Sequence, residues 1–143
     1  MQEESKLDAK LASELLVTSN IDEMWEYLWK AVQATCEKIQ LGWQIDLTPK
    51  LADESEVIWV TAPRQLADDQ FHQFIPKLEI RLDRTKKQVR AKLVHRSGSE
   101  IHYPIKADLQ NNKPVFERSG TQCTPLALAE HLIAERLLRM SLD

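Results

Sequence analysis

Residues 77–105, KLEIRLDRTKKQVRAKLVHRSGSEIHYPI, decide the fold, because apolar and polar residues alternate along three short runs. A period of two is typical of strands that have one buried and one solvated face. Turn residues separate the runs, so the stretch predicts two antiparallel hairpins. The inward-facing side chains would be Leu78, Ile80 and Leu82, then Val89, Ala91 and Leu93, then Ile101, Tyr103 and Ile105.

The register of the first hairpin follows from charge. Pairing Leu82 with Lys87 leaves a four-residue loop between the strands. The alternative pairs Leu82 with Val89. That register sets Arg81 opposite Arg90, and like charges directly across a strand pair are destabilising. We therefore predict the pairing of Leu82 with Lys87.

The register of the second hairpin follows from its glycine. Pairing His95 with Ser99 leaves a three-residue loop whose last residue is Gly98, at the position that needs a positive φ. This register also sets Ala91 opposite Tyr103 on the inward face.

The N-terminal third predicts two helices. A short, mobile helix lies within residues 1–19. The second helix begins at Asn20 as its N-cap, carries an apolar stripe at 3–4 spacing, and ends at Gly42. Trp25 and Trp29 both lie on this stripe, which favours core packing over a ligand platform.

Between the second helix and the hairpins, the period of two predicts a strand over Trp43–Leu47 and a turn at Thr48-Pro49. Residues 56–61 (EVIWVT) predict a more fully buried strand. Residues 62–76 are irregular, and a short helical turn there would point Leu66, Phe71 and Phe74 inward.

Pro104 lies in the last strand of the second hairpin and predicts an edge or bulged strand there, because proline offers no N–H to a ladder. A further strand is predicted over Pro114–Arg118. Thr124, followed by Pro125 at the first helical position, predicts the start of a long final helix. The fold class is α+β: an antiparallel sheet of about five to six strands, with two N-terminal helices and one long C-terminal helix on its apolar face.

We expect residues 1–143 to form a single domain, since a chain of this length buries a sufficient core without metals or disulfides. The order of elements resembles the helix-grip fold of START-like and plant allergen-type carriers, although that fold has a strand before its first helix. Helix–strands–helix order also resembles frataxin. A likeness of fold implies no function.

Charge is unevenly distributed along the chain. Residues 1–70 carry 14 acids and 6 bases, residues 71–106 carry 9 bases and 3 acids, and residues 107–143 carry 4 bases and 5 acids. This asymmetry indicates a polarised surface. No apolar run approaches the length of a membrane span, and residues 1–10 have the composition neither of a secretory signal nor of an organellar presequence. We expect a cytoplasmic protein.

No catalytic, metal or cofactor motif is present. The sequence contains no CxxC, HExxH, GxSxG or phosphate-binding glycine loop, and its three glycines are far apart. Asp68 and Asp69 are adjacent but lack a converging partner. We expect no catalytic residues, no metal and no cofactor, and the sequence favours a protein that is not an enzyme.

Four basic side chains are predicted to project from one face of the sheet: Arg81, Arg90, Lys92 and His102, with His102 opposite Lys92. We call these four residues the basic face. Clustered bases can bind phosphates. Proteins that bind single-stranded nucleic acid usually also need aromatic side chains for stacking, and none is predicted among these bases. A protein partner, or self-association with an acidic surface of a second copy, is the other interpretation.

Four apolar residues are candidates for lining a cavity between the sheet and the last helix: Trp43, Trp59, Tyr103 and Phe116. The same residues can simply fill that space. The sequence therefore predicts a non-enzymatic interaction or binding domain. The alternatives are a small apolar-ligand carrier with a helix-grip-like cavity, and a phosphate or nucleic-acid binder.

Overall fold

The computed structural model describes residues 2–52, 54, 56–63, 75–94 and 96–140, with the backbone alone for residues 2–7. The predicted α+β class is confirmed, but the described sheet has seven strands rather than five to six. All strands pair antiparallel with their neighbours in chain order. The elements are α1 (Gln2–Trp43), β1 (Thr48–Ala52), β2 (Val57–Thr61), β3 (Lys77–Asp83), β4 (Gln88–Leu93), β5 (Ile101–Asp108), β6 (Lys113–Arg118), β7 (Thr121–Cys123), α2 (Pro125–Glu130) and a π-helix (His131–Leu137).

The N-terminal third forms one continuous helix, so the predicted break at residue 20 was wrong. Asn20 does not cap a helix; its Nδ2 donates to the Leu16 carbonyl at 2.8 Å, within the helix. The buried stripe begins at Val17, before the predicted boundary, and continues to Ile39. Packing of this stripe against the sheet stabilises the helix across the boundary.

The end of α1 also differs from the prediction. The helix continues through Gly42 to Trp43, and Gln44, with a φ of 57°, supplies the left-handed residue that ends it. The Gln44 N–H donates to the Gln40 carbonyl at 2.9 Å. The predicted strand Trp43–Leu47 was therefore wrong, and Thr48 begins β1 instead of a turn.

The register of β3 and β4 is the one that charge argued against. Leu82 lies opposite Val89, and Arg81 lies opposite Arg90; the predicted pairing of Leu82 with Lys87 was wrong. The observed register aligns three apolar pairs on the buried face, whereas the predicted one sets a leucine against a lysine. These pairs are Leu78–Leu93, Ile80–Ala91 and Leu82–Val89.

The register of β4 and β5 is displaced by two residues from the prediction. Ala91 lies opposite Ile101 and not opposite Tyr103. The Ser99 hydroxyl accepts from the Leu93 N–H at 2.8 Å and donates to the Leu93 carbonyl at 3.1 Å. A side chain thus closes this hairpin where the prediction placed a backbone pair.

Gly98 in this hairpin has a φ of 72°, the left-handed conformation expected of it. His95 lies outside the described residues, as does the predicted helical turn with Leu66, Phe71 and Phe74. Because the displacement is even, it leaves the inward and outward faces of both strands as predicted. It does place His102 opposite Arg90 rather than Lys92.

The last strands change partners at Pro104. Residues 101–104 pair with β4, and residues 105–108 pair with β6. β5 therefore lies inside the strand order, but its first half, which ends at Pro104, pairs with β4 alone among the described strands and is an edge there, as predicted. The Ile105 N–H donates toward β4, to the Lys87 carbonyl at 2.9 Å. Pro104 therefore directs its backbone toward β6, where it has no N–H to offer, and the ladder breaks there.

The C-terminal elements follow the predicted cap. The predicted strand Pro114–Arg118 is present as β6, but β7 was not predicted. Thr124 Oγ1 accepts from the Ala127 N–H at 3.1 Å, which confirms the helix start. The helical segment then changes from α to π geometry at His131.

One hydrophobic core joins these elements. The buried stripe of α1 and the buried residues of the C-terminal helices, such as Leu128 and Ile133, form a single cluster with the inward residues of β2 to β6. The helices thus lie on one side of the sheet, which we call the inner face. The opposite side is the outer face, and the helices do not use it for their core contacts.

Candidate functional site

The four residues of the basic face share the outer face of the sheet. Directly opposed residues in antiparallel strands project to the same side. One row across the sheet contains Arg81, Arg90 and His102, and the neighbouring row contains Glu79 and Lys92. The side chains of the four basic residues are between 38% and 47% exposed, so they are accessible to a partner.

The second row also contains an aromatic residue that was predicted to lie elsewhere. Trp59 lies opposite Glu79 and is half-buried on the outer face. Lys77 Nζ lies 4.7 Å from the centroid of its ring, a cation–π contact. The expectation that no aromatic side chain lies among the bases was wrong, because Trp59 was placed on the side of the sheet that faces the last helix.

Glu79 connects the indole and two of the basic side chains. Its Oε1 accepts from Trp59 Nε1 at 3.3 Å. Its Oε2 lies 3.3 Å from Arg81 Nε and 3.5 Å from Lys92 Nζ. The Glu79 side chain is only 11% exposed, so this carboxylate forms a buried anchor beneath exposed cations.

A second carboxylate organises the other half of the basic face. Glu100 Oε1 lies 2.8 Å from His102 Nε2 and 3.7 Å from Arg90 Nη1. Gln88 Nε2 lies 3.4 Å from His102 Nδ1 and so holds the ring from its other side. The like-charge contact of Arg81 with Arg90 is therefore relieved, since each arginine has a different glutamate as its partner.

The two carboxylates are held in their charged forms. Burial raises the pKa of Glu79, but hydrogen bonds from Arg81 and Trp59 and the charges of Arg81 and Lys92 outweigh it, so the pKa lies below its ordinary value. The hydrogen bond with His102, followed by the charge of Arg90, lowers the pKa of Glu100. Both groups are anions at neutral pH.

The four candidate cavity-lining residues are not brought together. Trp43 is at the end of α1 and 43% exposed, and Trp59 is on the outer face. Tyr103 and Phe116 are 2% and 0% exposed within the core cluster. Burial raises the pKa of the Tyr103 hydroxyl, which keeps it neutral.

A cavity of about 610 Å³ lies elsewhere, between α1 and the β6–β7 end of the sheet. We call it the α1–β6 cleft. No local sequence signal indicates it, because its walls come from segments about ninety residues apart in the chain. Its lining residues are Asn20, Glu23, Met24 and Tyr27 from α1, together with Asn112, Lys113, Pro114, Val115, Gln122, Cys123, Thr124 and Pro125.

Neither thiol has the environment of a nucleophile. Cys36 is 2% exposed in the core, and burial raises its pKa to about 12. Burial also raises the pKa of Cys123. Across the described ranges, no three His, Cys, Asp or Glu side chains are grouped in a way that could hold a metal ion.

Within the part of the chain that the structure describes, no helix combines the length and apolarity needed to cross a bilayer. Comparison of the chain with protein-family models, curated proteins and solved structures gives no match.

Proposed function

We propose that this protein is a non-enzymatic interaction domain whose outer sheet face binds an acidic segment of a partner protein. The observation that carries the proposal is the Glu79 anchor, which fixes Trp59, Arg81 and Lys92 side by side on an exposed face. Tryptophan and arginine are the residues most enriched at the energetic centres of protein interfaces. Fixing them in advance lowers the entropy that is lost on binding.

The charge of the face supports an acidic partner. Five cations, Lys50, Lys77, Arg81, Arg90 and Lys92, lie in the rows across β1 to β4 or at their ends, against the three anions Glu79, Asp83 and Glu100 (5 − 3 = +2). A positive face on a chain of net charge −3 steers acidic partners toward itself.

A protein partner is favoured over nucleic acid for two reasons. The first is that, within the described sheet, the basic side chains are not interleaved with exposed aromatic rings on which successive bases could stack. The Trp59 ring, which stacking would need, already has Lys77 over it and Glu79 at its N–H. We further propose a cytoplasmic location. Both cysteines are free thiols, and a reducing compartment such as the cytoplasm keeps thiols in that state.

The experiment compares two charge-matched double variants. Arg81→Glu with Lys92→Glu reverses two cations of the outer face. Lys30→Glu with Lys38→Glu reverses two cations on α1, 64% and 55% exposed, that also pair with glutamates. Fluorescence anisotropy would measure binding of a labelled poly-glutamate peptide and of single-stranded DNA.

We expect the wild type and the α1 variant to bind the peptide with equal affinity, and the outer-face variant to bind at least about tenfold more weakly, since two charge contacts become repulsive. Equal affinity of all three proteins would refute the proposal. Tighter binding of DNA than of the peptide, lost in the outer-face variant and retained in the α1 variant, would reassign the face to nucleic acid. Sedimentation velocity across a salt series would identify a second copy as the partner, if a dimer dissociates as salt screens the charges.

A further inference from the structure

The α1–β6 cleft has the size of a small-molecule site. Its volume of about 610 Å³ lies within the range that ligand pockets in proteins span. It exists because β7 is short: the chain leaves the sheet after Cys123 and enters α2. Residues 113–115 of β6 consequently pair with β5 but not with β7, and α1 passes beside them.

The exposed edge of β6 is a poor site for an added peptide strand. The two-residue turn Ser119–Gly120, with φ values of 52° and 80°, makes Arg118 and Thr121 a hydrogen-bonded closing pair. Since backbone direction alternates along a strand, every second residue back from Arg118 points toward the β7 side. Pro114 is one of them, and it has no N–H to donate. An occupant of the cleft must therefore be held by side chains.

Those side chains combine an apolar floor with an uncompensated carboxylate. Met24 is 4% exposed, and Pro114, Val115 and Pro125 are half-buried beside it. At the rim, the Tyr27 hydroxyl donates to Glu23 Oε1 and so orients the carboxylate.

Glu23 differs from the two other acids in its part of α1. Asp22 pairs with Arg84, and Glu26 lies 3.3 Å from Lys30. Glu23 has no cationic partner among the described residues, and its Oε2 accepts no hydrogen bond from any of them. The hydrogen bond from the Tyr27 hydroxyl to Glu23, together with the negative charge of Glu23, raises the pKa of Tyr27.

We propose that the α1–β6 cleft binds a small organic monocation, an ammonium group on an apolar stem. The ammonium group would pair with Glu23 and contact the Tyr27 ring, and the stem would lie on Met24 and Pro114. Lys113, on the opposite wall, would repel a second positive charge and so disfavour polyamines.

The test uses three probes of equal chain length: hexylammonium, hexanol and hexanoate. Amide chemical shifts of the full-length protein would be followed by NMR, with Glu23→Gln as the test variant. Glu26→Gln is the matched control. Glu26 lies less than one helical turn from Glu23, so the variant removes an equal charge from the same part of α1, but Glu26 already pairs with Lys30. Both positions are exposed, so both variants should fold.

We expect hexylammonium to shift residues of the cleft and to bind about tenfold more tightly than hexanol, with hexanoate weakest, because a charge-assisted contact is formed only by the ammonium. Glu23→Gln should abolish this preference, and Glu26→Gln should retain it. Absence of shifts in the cleft, equal binding of hexylammonium and hexanol, or an unchanged preference in Glu23→Gln would each overturn the proposal. Arg81→Glu with Lys92→Glu should bind the probe normally, since the outer face is a separate site.

Discussion

Replacing Glu79 by glutamine tests whether a charge organises the outer face. Glutamine keeps an oxygen acceptor for Trp59 Nε1 but removes the ionic contacts to Arg81 and Lys92. Both cations are nearly half exposed, so each contact contributes about 0.5 kcal/mol, within the usual range for surface ion pairs. The variant should lose about 1 kcal/mol of unfolding free energy, which is about 3–4 °C in Tm for a chain of this length. Glu79→Ala, which also loses the indole bond, should lose about 2 kcal/mol.

The pH dependence of this loss has a definite sign. A carboxyl group whose pKa is lowered in the folded state stabilises the fold fully above its unfolded pKa of about 4.3, and this stabilisation disappears as the pH falls through the folded value. The pKa of Glu79 is lowered in the folded protein. The difference in stability between wild type and Glu79→Gln should therefore be constant near neutral pH and should shrink below about pH 4.

Urea denaturation followed by tryptophan fluorescence would measure both effects. Glu100→Gln is the control, because this carboxylate is 40% exposed and its removal should change stability by less. About 1 M NaCl, with a Debye length near 3 Å, should reduce the effect of Glu79→Gln. Equal stability of wild type and Glu79→Gln at neutral pH, or a difference that persists unchanged in acid, would refute the view that the Glu79 charge holds the cluster.

Three further substitutions test the fold itself by the same denaturation assay. Asn20→Ala should be neutral or stabilise by a few tenths of a kcal/mol, because alanine is the better residue inside a continuous helix; a loss of about 1 kcal/mol would indicate a cap and two helices. Thr124→Ala should cost about 1 kcal/mol, since it removes the bond to the Ala127 N–H. Phe116→Ala should cost about 3–5 kcal/mol by opening a cavity in the core, and a loss below 1 kcal/mol would contradict its complete burial.

The strands were predictable where a local pattern and its turn lie in one segment. The alternation from Leu78 to Leu82 and the turn glycine Gly98 both appear in the structure as expected. The cap at Thr124 was predictable for the same reason, because a hydroxyl that bonds an N–H three residues later is a short-range interaction.

The registers and the length of α1 depended on interactions distant in sequence. Charge pairing predicted the wrong β3–β4 register because it compared Arg81 with Arg90 alone. Glu100, from the loop after β4, supplies the counter-charge for Arg90, so the repulsion no longer decides against the register that buries more apolar surface. In the same way, the local sequence predicts that Asn20 caps a helix. Packing against the sheet buries helical residues both before and after Asn20, and this stabilises one continuous helix.

The structure also changes how the charge asymmetry of the chain should be interpreted. Arg84, from the basic region, bonds Asp22 of α1 and donates from its Nε to Glu56 Oε1 at 2.7 Å. Some of the acids of residues 1–70 and bases of residues 71–106 therefore neutralise each other within the molecule, at the end of the sheet where the β3–β4 turn meets α1. The charge difference that a binding partner would encounter is therefore smaller than the difference counted along the sequence. Among the charges that remain accessible are the cationic surface around Glu79 and the carboxylate of Glu23 in the cleft. The outer face has a net positive charge, whereas the cleft has the carboxylate of Glu23 on one wall and Lys113 on the other. The two surfaces share no residue, so the variants that abolish binding at one should leave the other unchanged.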